Sequence, residues 1–150
     1  MHPSQYIVLN SPHERVARSA VADFTYHARF LDSLGAGPEA KIVTHVGGVY
    51  GDRPAAMRRF VEHYRELPET VKARLVLEND EISYPVTDIA AIHDECGIPL
   101  VFDILHHRVN NPAALDDAEA CRRCLATWPK GQTPKIHYST QRTEARTQPK

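Results

Sequence analysis

Short apolar runs alternate along the chain with longer stretches in which apolar residues return every three or four positions. YIVLN (6–10), KIVTHV (41–46), ARLVLE (73–78), PLVFD (99–103) and PKIHYS (134–139) read as five strands. Residues 11–35, 53–67, 86–97 and 112–128 read as four helices. The first helix carries Val16, Ala20, Phe24, His27 and Leu31 at helical spacing. Ser11, Pro12 and Glu14 have the spacing of a capping box with proline in the first turn, and Gly35 closes the helix. Gly97 closes the third. From Ser139 to Lys150 the chain is a polar tail without periodicity.

Strand–helix alternation with nearly continuous apolar strands predicts an α/β fold with a parallel sheet. Glu78 lies 33 residues after His45, Asp103 lies 25 after Glu78, and His137 lies 34 after Asp103. A (β/α)8 barrel uses roughly 31 residues per unit and about 250 in all. No G-x-G-x-x-G or Walker pattern opens a helix after a strand, which weighs against a nucleotide-binding sheet. The expectation is one domain over residues 1–150, a TIM-barrel type of partial barrel with about five strands and four helices.

Composition narrows the class. The chain has 150 residues, 42% hydrophobic and 25% charged, with a formal net charge of −1. That is a globular balance, and any nucleic-acid contact must come from a local feature, not a global basic charge. No apolar run is long enough to span a membrane and no signal-peptide pattern is present. Three cysteines make a poor disulfide framework, so a reduced, cytoplasmic protein is expected. Cys121 and Cys124 form C-R-R-C within a helical pattern, half of a zinc site at best and more simply two thiols on a helix.

The chemistry gathers where the strands end. Active sites of parallel α/β folds lie at the C-terminal ends of the strands. Here those ends carry His45, Glu78, Asp103 and His137, with His106 in the turn after Asp103 and His2 ahead of the first strand. Several buried imidazoles and carboxylates in one pocket are desolvated or mutually repulsive unless a cation joins them. Mixed histidine and carboxylate donors suit Zn2+ or Mn2+ better than Ca2+. The remaining histidines carry less chemistry. His13 sits in a first turn, and His27, His63 and His93 sit inside helical patterns, so all four read as structural. Periodicity alone does not choose between His106 and His107. Lys135 shares a strand face with His137 and is open to three readings: a phosphate contact, a modified lysine, or a solvated edge residue. Gln5 and Tyr6 pair an amide with an aromatic ring, a combination able to wedge into or stack on bases, although Tyr6 also reads as core.

Five segments, HPSQYIVLNSP, KIVTHVGGVYGD, RLVLENDE, GIPLVFDILHHRVNNP and PKIHYSTQR, closely resemble the UV damage endonuclease family. The similarity runs through essentially the whole chain in the same order. It implies a metal-dependent TIM barrel related to class IV apurinic endonucleases, which nicks double-stranded DNA on the 5′ side of UV photoproducts with metal-activated water. It also implies up to three divalent ions, typically Mn2+, with Zn2+, Mg2+ or Co2+ as alternatives. By matching motifs, His2 and His45 hold one ion, and Glu78 bridges it to a second held by Asp103 and His137. His106 helps hold a third. Gln5 and Tyr6 match the pair that probes the lesion, and Lys135 matches a family lysine beside the metals, so Glu78 and Lys135 are the catalytic candidates. The family has strands before HPSQY and after IHYSTQR, the latter supplying a further histidine and a glutamate ligand. The expectation is therefore a fragment of a barrel whose activity depends on the remainder or on a second chain. A sugar isomerase or epimerase with similar ligands, and an inactive metal- or DNA-binding remnant, are the alternative functions.

Overall fold

A computed structural model describes residues 1–4 and 6–140. The described chain runs α1 (Glu14–Ser33), β1 (Ile42–Thr44), α2 (Arg53–Glu66), α3 (Glu69–Lys72), β2 (Leu75–Glu78), α4 (Val86–Cys96), β3 (Leu100–Asp103), α5 (Ile104–Val109), α6 (Asp117–Ala126) and β4 (Ile136–His137). The strands form one parallel sheet in the order β1-β2-β3-β4. This is about half of a TIM-barrel-type fold, as the alternation predicts. No described helix is long and apolar enough to cross a membrane.

The two-residue period of the strands sorts side chains between two environments. Ile42, Leu75, Leu77, Leu100 and Phe102 join the larger core against the helices, where Phe24, Phe60, Ile89 and Ile92 are buried. Val43, Val76 and Val101 point the other way and form a second cluster with Trp128. The Trp128 indole N–H donates to the Leu100 carbonyl at 2.6 Å. On this second face each valine lies two residues before a site candidate, His45, Glu78 or Asp103.

The predicted first strand is not one. In residues 6–10 the Leu9 carbonyl accepts from the His63 ring at 2.6 Å and the Asn10 carbonyl accepts from Arg59 Nε at 2.9 Å. Side chains of α2 take the place of a ladder there. Met1 pairs beside β1 instead: its amino group donates to the Lys41 carbonyl and its carbonyl accepts from the Val43 N–H. That is the parallel pattern, and it brings His2 to the same end of the sheet as His45.

Helix boundaries move for local reasons. The Ser11 hydroxyl accepts from the His13 N–H at 3.1 Å, so it is spent in a turn and α1 starts at Glu14 with no side-chain cap. Its buried stripe is Ala17, Ala20, Phe24, Ala28 and Leu31, and Val16 and His27 flank it. Gly35, at φ +68°, ends α1 in a Schellman arrangement, with the Ala36 N–H on the Leu31 carbonyl and the Gly35 N–H on the Asp32 carbonyl. α6 begins five residues later than the pattern predicts. Asn111 closes a loop onto both backbone groups of Leu115, and the Asp116 carboxylate caps the helix by accepting from Ala118 and Glu119. Two short helices, α3 and α5, had too few turns to show periodicity. Residues 141–150, most of the predicted tail, lie outside the described residues.

Arg74 ties α1 to the sheet. Its guanidinium donates to Asp32 Oδ1 and to the carbonyls of Ala36, Gly37 and Ala40, and it is only 8% exposed. Arg74→Ala strands these acceptors, so we expect a loss of about 3 kcal/mol in urea unfolding. A loss under about 1 kcal/mol would show that water replaces the guanidinium freely.

Candidate metal centre

The inner face of the sheet delivers a buried carboxylate to the middle of a ring of imidazoles. Glu78, the last residue of β2, is 1% exposed. His2 Nε2 lies 3.1 Å and His45 Nε2 3.5 Å from its Oε2. His137 Nδ1 contacts Oε1. The rings crowd each other as well: centroids are 5.5 Å apart for His2 and His45, 5.6 Å for His45 and His106, and 6.4 Å for His2 and His137.

Two donor groups share Glu78. Donor atoms of His2, His45 and Glu78 all lie within 4.8 Å of one another, and so do those of Glu78, Asp103 and His106. The first group brings together the three residues expected to meet at one ion. In the second, His106 stands with Asp103, and His137 meets the other oxygen of Glu78. Both groups sit where β1, β2 and β3 end.

The protonation chemistry favours a cation over protons. Burial holds the His45 imidazole below its ordinary range, and the neighbouring His2 and His106 add to this against the opposing pull of Glu78 and Asp80. His45 Nδ1 is a buried polar atom without a hydrogen-bond partner. The His106 Nδ1–H donates to the Asn79 carbonyl at 2.9 Å, so in the neutral imidazole the lone pair is on Nε2, 3.4 Å from a Glu81 carboxylate oxygen. Lone pairs facing carboxylates are what a divalent ion resolves, so the residues present fit one.

Asn79 and Asp80, which sequence reasoning passed over, hold this arrangement. Asn79 is buried. Its Oδ1 accepts from the Asp103 N–H at 2.9 Å and its Nδ2 donates to the Asp103 carbonyl at 3.1 Å. Asn79 therefore bridges the ends of β2 and β3 with its side chain and orients His106 through its backbone carbonyl. Asp103 spends Oδ1 on the His106 N–H, capping α5. Asp80 is a structural acid. Its carboxylate accepts from the backbone N–H groups of Ile82, Ser83 and Tyr84. The signal was present as two polar residues directly after an apolar strand, but it looked like the start of a loop.

The other candidates fall in different places. His107 is buried, packs its ring 5.3 Å from Phe102 and donates to the Leu115 carbonyl. His27, His63 and His93 each bond a backbone carbonyl. Lys135 is exposed just ahead of β4, and after burial and Arg74 its charge helps push Lys41 down. Tyr6 is 80% exposed, so it is not core, and Gln5 lies outside the described residues. Cys121 and Cys124 lie on α6. Burial pushes the Cys124 thiol up to about 12, and neither described donor group contains a cysteine. An open cleft of about 650 Å3 lies beside the histidines, lined by His2–Ser4, Ile7, Val8, Val43–His45, Gly47, Gly48 and Asp80–Ser83.

Fold and site together define a TIM-barrel-type protein with a candidate divalent-metal centre at the C-terminal ends of its strands. The family profile described as UV-endonuclease UvdE matches residues 1–150, and the chain belongs to that family. The UV DNA damage endonuclease of Clostridium perfringens is 38% identical over 143 residues, 94% of this chain and 35% of that protein. That of Bacillus velezensis is 38% identical over 148 residues, 96% of this chain and 45% of that protein. The UV-damage endonuclease of Neurospora crassa is 38% identical across 92% of this chain and 23% of its own length. The crystal structure of SacUVDE superposes with a TM-score of 0.88 at 40% identity, covering 95% of this chain and 48% of that one. The chain thus spans less than half the length of each of these relatives.

Asn79→Ala removes both bonds to Asp103 while leaving every metal donor in place. Its expected effect is a 10- to 100-fold, roughly, weaker binding of Mn2+ by calorimetry. Unchanged affinity would show that β3 holds Asp103 without the strut.

Proposed function

We propose that this chain carries the metal centre of a DNA repair endonuclease that incises the backbone 5′ to UV photoproducts in double-stranded DNA. One observation carries the reading: a buried Glu78 surrounded by His2, His45 and His137, at the strand ends of a chain in the UvdE family. In this reading His2, His45 and Glu78 would hold one ion, and Glu78, Asp103, His106 and His137 would help to hold others, up to three in all. Mn2+ is the ion proposed. Divalent ions held there supply Lewis acidity and lower the pKa of water for attack on a phosphodiester.

The protein's own residues prepare that chemistry. Burial keeps His45 unprotonated, so it offers a lone pair near neutral pH. Asn79 fixes the His106 tautomer and the height of Asp103. Gln5 and Tyr6 read the lesion, a role supported for Tyr6 by its exposure. Lys135 acts beside the reacting phosphate.

Nicking of UV-irradiated supercoiled plasmid with Mn2+ tests this function. Glu78→Ala should lower the rate about 100-fold or more, because it removes a ligand shared by both donor groups. Equal nicking of irradiated and untreated plasmid would overturn the damage-specific reading. A second reading rests on length: the chain spans 35% to 45% of its bacterial relatives, and Ile136 and Tyr138 are exposed at β4. The rest of the barrel, or a second chain, then completes the activity. Nicking by this chain alone at the rate of a full-length relative would overturn that.

A further inference from the structure

Among the cleft-lining residues, Ile82 stands out. It is 79% exposed, at the tip of the loop between β2 and α4. Single exposed aliphatic residues are common on protein surfaces and mean nothing alone. This one differs in how it is held and where.

The loop under Ile82 is fixed. The Asp80 carboxylate accepts from the N–H groups of Ile82 at 2.8 Å, of Ser83, and of Tyr84 at 3.1 Å. The Asp80 N–H donates to the Tyr84 carbonyl, and Asn110 Nδ2 donates to the Asp80 carbonyl. Tyr84 is fully buried and its hydroxyl donates to the Gly48 carbonyl, which joins this loop to the one after β1. A slack loop would fold its isoleucine back onto the surface. This one holds the side chain out, at the rim of the cleft that contains His2 and His45.

The charge of the loop decides what it can touch. Asn79–Tyr84 contains no lysine or arginine, and it contains two acids. It is unsuited to grip phosphate. Glu81 lies 3.4 Å from His106, and Ile82 is the exposed large apolar side chain that this loop presents at the cleft. An aliphatic side chain meeting DNA gains most between base steps, where proteins that bend duplexes place leucine, isoleucine or phenylalanine.

We propose that Ile82 is an apolar wedge that enters the base stack of damaged duplex DNA from the rim of the cleft that contains His2 and His45. The proposal rests on the DNA reading above. Lesions weaken stacking, so the wedge enters damaged sites more easily and contributes to selectivity.

The test uses two duplexes of one sequence, with and without a single cyclobutane dimer, each carrying 2-aminopurine beside the lesion position. Anisotropy reports affinity for the chain with Mn2+, and 2-aminopurine emission reports unstacking. Ile82→Ala should weaken binding to the damaged duplex by about tenfold and abolish the emission rise. Binding to the undamaged duplex should stay within about twofold. Ile82→Leu should behave as wild type. Its exposure means that neither variant should shift the urea midpoint. Equal weakening on both duplexes, or an unchanged emission rise in Ile82→Ala, overturns the wedge while leaving the endonuclease reading intact. Failure of the wild-type chain to prefer damaged DNA overturns the wedge, while the endonuclease reading is decided separately by the nicking of irradiated plasmid.

Discussion

A carboxylate withdrawn from water sets the terms for the rest of this structure. Glu78 is held by β2 in the interior, and its charge has to be answered from the strands beside it. Histidines from three separate segments do so: from residue 2 beside β1, from the end of β1, and from β4. Protonated imidazoles at these separations would repel one another, and burial already disfavours charge on His45. A divalent cation held among these donors would balance the arrangement. Sheet order, strand length and the pairing of Met1 along β1 all serve that convergence.

Candidate donors make a centre only if something holds them in place. Asn79 and Asp80, directly after Glu78, divide that task. Asn79 bonds sideways to β3 and sets Asp103 and His106. Asp80 bonds forward into its own loop, which commits its carboxylate there although it lies close to the candidate donors. Buried Asn10 adds a third tie, donating to the Gly48 carbonyl at 2.7 Å and to the Tyr84 hydroxyl at 3.3 Å. Three loops at one end of the sheet are therefore pinned to one another through side-chain amides and a phenol.

Much of this was legible in the sequence, for physical reasons. Strands ending on His45, Glu78 and Asp103 were visible because an apolar run that stops on a ligand-type residue is costly without a purpose. The long helices were visible because their periodicity survives over several turns. The segment YIVLN misled because apolar content does not reveal what its carbonyls bond to, and here they bond to Arg59 and His63. Ser11 misled because a capping residue works only if the helix begins where its hydroxyl points. The choice of His106 over His107 needed the resemblance, since neighbouring residues in one helical turn differ by an angle that no pattern in so short a helix displays. Asn79 was invisible because its partners are backbone atoms 24 residues away.

The alternation of valine and ligand on the inner face has a consequence for how the gene can change. Val43 precedes His45, Val76 precedes Glu78 and Val101 precedes Asp103 by one strand period. Inserting or deleting one codon within β2 would swap the faces, turning Glu78 among the leucines of the helical side and bringing an aliphatic chain into the imidazole ring. The same event in an exposed stretch such as residues 130–135, between α6 and β4, would leave each strand's parity intact. Length variation is thus channelled into the connections, and the strands can change only by substitution.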